Sequence, residues 1–139
     1  LEDESPHIYI SHISLLHKYP NSYTFVQNPN MQAPQNETSN ILPEKIKGYV
    51  KGLDPEAEVI LFGSRARGEA HEDSDWDMLI LTERPVTLKI EQAFRHKLFE
   101  LELEFGQSIS VFVYSKSDWN GRHRSTPLYN NIQAEGILL

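Results

Sequence analysis

The stretch "VILFGSRARGEAHEDSDWDML", residues 59–79, decides how the chain is read. Its opening belongs to "EVILFGS" (58–64), a short apolar run between turn formers, which predicts a buried strand. The run stops at Gly63-Ser64 and resumes ten residues later as "DWDMLILT" (75–82), a second strand. Carboxylates on an otherwise apolar strand need a reason. Successive strand side chains alternate faces, so Asp75 and Asp77 are expected to share one face and Trp76 and Met78 the other. Two carboxylates side by side repel. A divalent cation removes that cost and gains hard oxygen ligands, an arrangement that suits Mg²⁺ when phosphates complete its shell. Gly63 leaves a ligand room to approach the backbone. Ser64 offers an amide and a hydroxyl at an expected helix N-terminus, where an anion is favoured. Arg65 and Arg67 add guanidinium groups suited to phosphate oxygens. A plainer reading uses the same residues: Asp-x-Asp is common in exposed turns, and Glu69, Glu72 and Asp73 are at hand as partners for the two arginines.

Outward from this stretch the pattern is that of a small domain. Ile46, Tyr49, Val50 and Leu53 follow helical spacing, with Gly52 as a stop. Ile90, Ala93, Phe94, Leu98 and Leu101 form the apolar stripe of a second helix, closed by Gly106. "SISVFVYS" (108–115) alternates and is β-branched and aromatic, hence a third strand. Thr126-Pro127 makes an N-cap followed by proline at the first helical position, and Gly136 ends that last helix. The order helix, strand, strand, helix, strand, helix predicts an α/β or α+β domain. Residues 1–38 are rich in Pro, Asn, Gln and Ser without a sustained period, and read as a tail or poorly ordered arm. His7, His12 and His17 recur every five residues, which fits neither a helix face nor a strand face.

Composition narrows the classes of function. The net charge of −7 argues against a general nucleic-acid binder, whose affinity rests on Lys and Arg neutralising phosphates. With no cysteine, disulfides and thiolate zinc sites are excluded. No apolar stretch reaches the roughly 18 residues of a membrane span, and "LEDESPHIYI" lacks the basic-then-apolar pattern of a signal peptide. A cytoplasmic protein is expected.

The combined signature, Gly-Ser, ten residues, then Asp-x-Asp opening an apolar strand, resembles that of the polymerase-β-like nucleotidyltransferase superfamily. The extended form "FGSRARG…SDWDMLIL" is most similar to the minimal nucleotidyltransferases, over roughly residues 40–139. The resemblance implies a small mixed sheet backed by helices, with residues 39–139 forming the nucleotidyltransferase domain. It implies transfer of a nucleoside monophosphate, AMP in the favoured version, from an NTP such as ATP to a hydroxyl. Gly63 and Ser64 would then hold the β- and γ-phosphates, with Arg65 and Arg67 beside them, and Asp75 and Asp77 would bind Mg²⁺ as the catalytic carboxylates. Many such proteins resemble antitoxins acting beside a HEPN-domain partner, some by transferring AMP to a tyrosine of the toxin.

One feature departs from the family pattern. In-line displacement at the α-phosphorus needs an activated hydroxyl, and the family usually provides a third carboxylate from the next strand. Here that strand carries Ser108, Ser110, Phe112 and Tyr114 on one face and Ile109, Val111 and Val113 on the other, with Ser110 where the acid is expected. Glu102, Glu104 and Asp118 are the nearby substitutes, each with a competing reading as a solvated charge. A partner could also supply the missing group. Loss of a base costs on the order of 10²–10⁴ in rate, so a weakened or inactive module that binds a HEPN-type partner is the alternative function.

Overall fold

Strand β2 (Trp76–Thr82) organises the domain, because six of its seven residues are buried and only Asp77 is not. The computed structural model describes residues 35–139, with side chains from Ser39 onward. Along them run α1 (Gln35–Leu53), β1 (Glu58–Phe62), α2 (Gly63–Ala66), β2, α3 (Leu88–Phe105), β3 (Ile109–Ser115), α4 (Lys116–Asn120), α5 (Pro127–Glu135) and β4 (Ile137–Leu138). The four strands lie in the order β3-β2-β1-β4. β1 pairs antiparallel with both β2 and β4, while β2 and β3 are parallel. Parallel neighbours need a crossover, and α3 supplies it. This is the expected α+β architecture, a small mixed sheet with helices.

The alternation along each strand sorts the core into two layers. Val59, Leu61, Trp76, Met78, Ile80, Ile109, Val111 and Val113 face α1 and α3, where Leu42, Ile46, Val50, Phe94, Leu98 and Leu101 meet them. Phe62, Leu79 and Leu81 face the other way, against Trp119 of α4 and Ile132 of α5. Full burial of such an aliphatic or aromatic side chain contributes roughly 1.5–3 kcal/mol. Asp77 sits among residues of the second layer, at the end of the sheet where β1 turns into α2.

Several boundaries differ from the sequence reading. α1 starts at Gln35, although Pro43 lies inside it. Proline removes one helical N–H, yet Leu42 is fully buried beside it and draws this turn onto the sheet. Gly52 does not stop that helix, which runs on to Leu53. β2 begins at Trp76, so Asp75 precedes the strand. Gly63-Ser64 open α2 instead of ending β1. The short elements α4 and β4 carry too little pattern to announce themselves. Gly106 does close α3, in the left-handed conformation with φ +63. Thr126 caps α5, its hydroxyl accepting from the Tyr129 N–H at 3.2 Å. The three regularly spaced histidines, and most of the expected N-terminal arm, lie outside the described residues. No helix among those described is long and apolar enough to cross a membrane.

Candidate active site

β1 runs into the site at Phe62, which pairs in register with Asp77. The next residue, Gly63, has φ +74, a region that L side chains rarely adopt. A Cβ built on it would overlap the Oδ2 of Asp77 and stand 3.1 Å from its Cγ. The Asp77 carboxyl group therefore occupies the space that any side chain at position 63 would fill. The room over Gly63, expected from the sequence to admit a ligand, is taken here by the Asp77 carboxyl group. Asp75 lies exposed one residue ahead of β2, and Trp76 between them is buried in the opposite layer.

The electrostatics agree with that proximity. Burial pushes the Asp77 carboxyl above its ordinary value, and the charges of Asp75 and Glu135 push it further while Arg67 opposes them. A cation beside Asp77 would remove this cost. Among the described residues no group of three or more His, Asp or Glu side chains is placed to hold a metal ion. The Asp77 carboxyl group over Gly63, with Asp75 close enough to raise its pKa, is a donor set that fits one hard divalent ion, whose remaining ligands would come from elsewhere.

The arginines divide in role. Arg65 donates through Nε and Nη2 to the Ser74 carbonyl at 3.0 and 2.6 Å, and through Nη2 to Gln107 Oε1 at 2.9 Å. Its guanidinium also lies 4.3 Å from the centre of the Trp76 ring. Arg65 thus clamps α2 to the loop before β2, work that the sequence reading did not foresee. Arg67 pairs with Glu69 at 2.8 Å and with Glu135 at 2.9 Å.

Ser110 pairs in register with Asp77 on the neighbouring parallel strand. The place opposite Asp77 where the family pattern leads one to expect a third acid is therefore filled by a serine. The substitutes are occupied: Glu102 accepts the Ile109 N–H at 2.6 Å, Glu104 pairs with Lys45 at 3.0 Å, and Asp118 pairs with Arg122 at 3.3 Å. Phe112 and Tyr114 belong to the second core layer. A groove of about 340 Å³ between α3 and β3, lined in part by Phe99, Ile109 and Val111, opens on the other layer and is separate from this site.

Glu135 escaped the sequence reading. It is the last residue of α5, and its Oε1 accepts the Gly63 N–H at 3.1 Å. A signal was there: a carboxylate in the last turn of a helix opposes the macrodipole and so calls for a partner elsewhere. Here the hydrogen bond from Arg67 holds the Glu135 carboxyl below its ordinary value, and the Gly63 N–H adds to the effect against burial.

A family model described as "Nucleotidyltransferase domain" matches residues 43–137. The chain belongs to that family. As a nucleotidyltransferase domain it has relatives in Methanocaldococcus jannaschii described as proposed protein adenylyltransferases. One is 42% identical over 79 residues, covering 53% of this chain and 80% of its own length. Another is 31% identical over 103 residues, covering 74% of this chain and 91% of its own. Among solved structures, a proposed minimal nucleotidyltransferase superposes with TM-score 0.51 at 24% identity, covering 81% of this chain and all of that one. A toxin–antitoxin structure with AMP-PNP gives TM-score 0.52 at 20% identity, covering 68% of this chain and 69% of that one. These superpositions show a shared nucleotidyltransferase fold, and the resemblance to minimal nucleotidyltransferases holds.

Proposed function

We propose that this nucleotidyltransferase domain binds a magnesium-bound nucleoside triphosphate and transfers the nucleoside monophosphate, AMP by preference, to a hydroxyl on a partner protein. The adenylyl reading is supported by the description of the two archaeal relatives. An antitoxin role beside a toxin is supported by structural neighbours solved as toxin–antitoxin complexes. We take the partner to be of HEPN type, and the setting to be the cytoplasm. The observation that carries the chemistry is the Asp77 carboxylate lying against Gly63, where only glycine leaves space.

In this proposal Gly63 and Ser64 meet the β- and γ-phosphates, Arg67 lies at their flank, and Arg65 braces the turn. Asp75 and Asp77 would hold a divalent ion, which supplies charge neutralisation for the pyrophosphate leaving group. The acceptor oxygen forms a bond to the α-phosphorus, the bond from that phosphorus to pyrophosphate breaks, and the hydroxyl proton passes to a base. Ser110 is no such base near neutral pH. That specific observation favours a second reading, a module that binds nucleotide and partner but transfers slowly unless the partner provides the base.

Incubation with Mg²⁺, α-labelled ATP and the protein encoded by the neighbouring gene tests both. Label on the partner that disappears in Asp75→Ala/Asp77→Ala supports transfer. A stable complex without label, under conditions where an active relative labels its target, supports the module. Failure of the chain to bind Mg-ATP at all sinks both.

A further inference from the structure

Glu135 holds the two groups that the proposed reaction needs for phosphate. Its Oε1 takes the Gly63 N–H at 3.1 Å and its Oε2 takes the Arg67 guanidinium at 2.9 Å. A backbone N–H and a guanidinium sharing one carboxylate are the donors that would otherwise meet phosphate oxygens, and both bonds are strengthened by charge. The Glu135 side chain is 19% exposed, so it is inserted into the site and not waving above it. It also stands in an unfavourable place for an acid, at the C-terminal end of α5. Two anions cannot both occupy the Gly63 N–H, and Asp75 and Asp77 already make this corner negative.

We propose that Glu135 is a built-in competitor that occupies the phosphate donors of the ligand-free site, and that a bound triphosphate displaces it and frees the last turn of α5. This rests on the nucleotide-binding reading given above. The displacement reaches further than one side chain. Glu135 is followed at once by Gly136 and β4, which pairs with β1, the strand that delivers Gly63. Nucleotide occupancy is thereby reported at the C-terminal segment, on the surface of the domain.

The test compares the full chain with Glu135→Gln, which retains the shape of the side chain but not its charge. Calorimetry with Mg²⁺ and a non-hydrolysable ATP analogue is expected to show binding roughly three- to tenfold tighter in the variant, since a charged competitor is replaced by a weaker neutral one. Inorganic tripolyphosphate should show the same ordering, because the competition concerns phosphate and not the base. Amide hydrogen exchange on the wild-type chain gives a second readout that needs no variant. Residues 131–136 should exchange faster when the analogue is bound. If the wild-type chain binds the analogue but Glu135→Gln binds it equally or more weakly, Glu135 merely props the turn and the proposal is overturned. Slower or unchanged exchange at 131–136 on binding overturns it as well, even where the variant fails to fold. If neither folded protein binds, the nucleotide reading itself has failed and this inference falls with it.

Discussion

Asp77 shows how one residue carries both a cost and a use. It is the single residue of β2 left incompletely buried, and burial is the largest cause of its raised pKa, with Asp75 next. An acid whose pKa is higher in the folded state than in the unfolded one holds more protons when folded, so stability falls as pH rises. The cost is absent below about 3.8, its ordinary value, and is complete above the raised folded value. Asp77→Asn is therefore expected to stabilise the ligand-free chain at pH 7, with the gain over wild type shrinking as pH falls through that window. Urea unfolding of both proteins across pH checks this, and Mg²⁺ with nucleotide should stabilise wild type alone. Glu135 carries the opposite sign, since its lowered pKa favours the folded state above its unfolded value. At this scale the motif residues were legible because glycine and paired acids are rare on an apolar strand. Glu135 was not, because its meaning depends on a contact 72 residues away in the chain.

At the scale of elements, the junction of β1 and α2 is the part least tolerant of change. Gly63→Ala places a methyl group into the Asp77 carboxyl group and forces a left-handed φ on alanine. Backbone strain of this kind costs roughly 1–3 kcal/mol, and relief of the overlap requires Asp77 to move. Chemical denaturation should show a loss of that order, and calorimetry should show loss of Mg-nucleotide binding in the folded remainder. Long elements with a strong period, such as α3 and β3, were legible from their stripes, as were stops and caps with a local mechanism, Gly106 and Thr126-Pro127. The start of α1 was not, because Pro43 argues locally against a helix that Leu42 secures through burial. α4 and β4 are too short for any period, and they exist because Trp119 fills the second layer and because Ile137 and Leu138 find β1.

Taken as a whole molecule, the domain places its candidate chemistry on one layer and its larger helical core on the other. Asp77, Ser110 and Glu135 belong to the side covered by α4 and α5, while α1 and α3 back the sheet from behind. A ligand that binds only the folded state stabilises it by mass action, by about 2.7 kcal/mol at a hundredfold excess over its Kd. Mg-ATP at that excess should raise the unfolding free energy of wild type by about this amount and leave Asp75→Ala/Asp77→Ala unmoved. Scanning calorimetry with and without Mg²⁺ reads the difference. The family and the fold could be read from the sequence because the signature couples two adjacent strands through a turn of set length. The acceptor that the proposed transfer requires could not, since no residue in the chain encodes another molecule's hydroxyl.

The separation of the two layers also gives the domain a pair of chromophores. The chain has two tryptophans, Trp76 beneath the Arg65 guanidinium between the two acids, and Trp119 on the opposite side of the sheet. Replacing Trp119 by phenylalanine would leave one indole whose emission senses the Arg65 clamp beside the Gly63-Ser64 turn, so that the proposed nucleotide binding could be followed optically in a stopped-flow instrument without any attached dye.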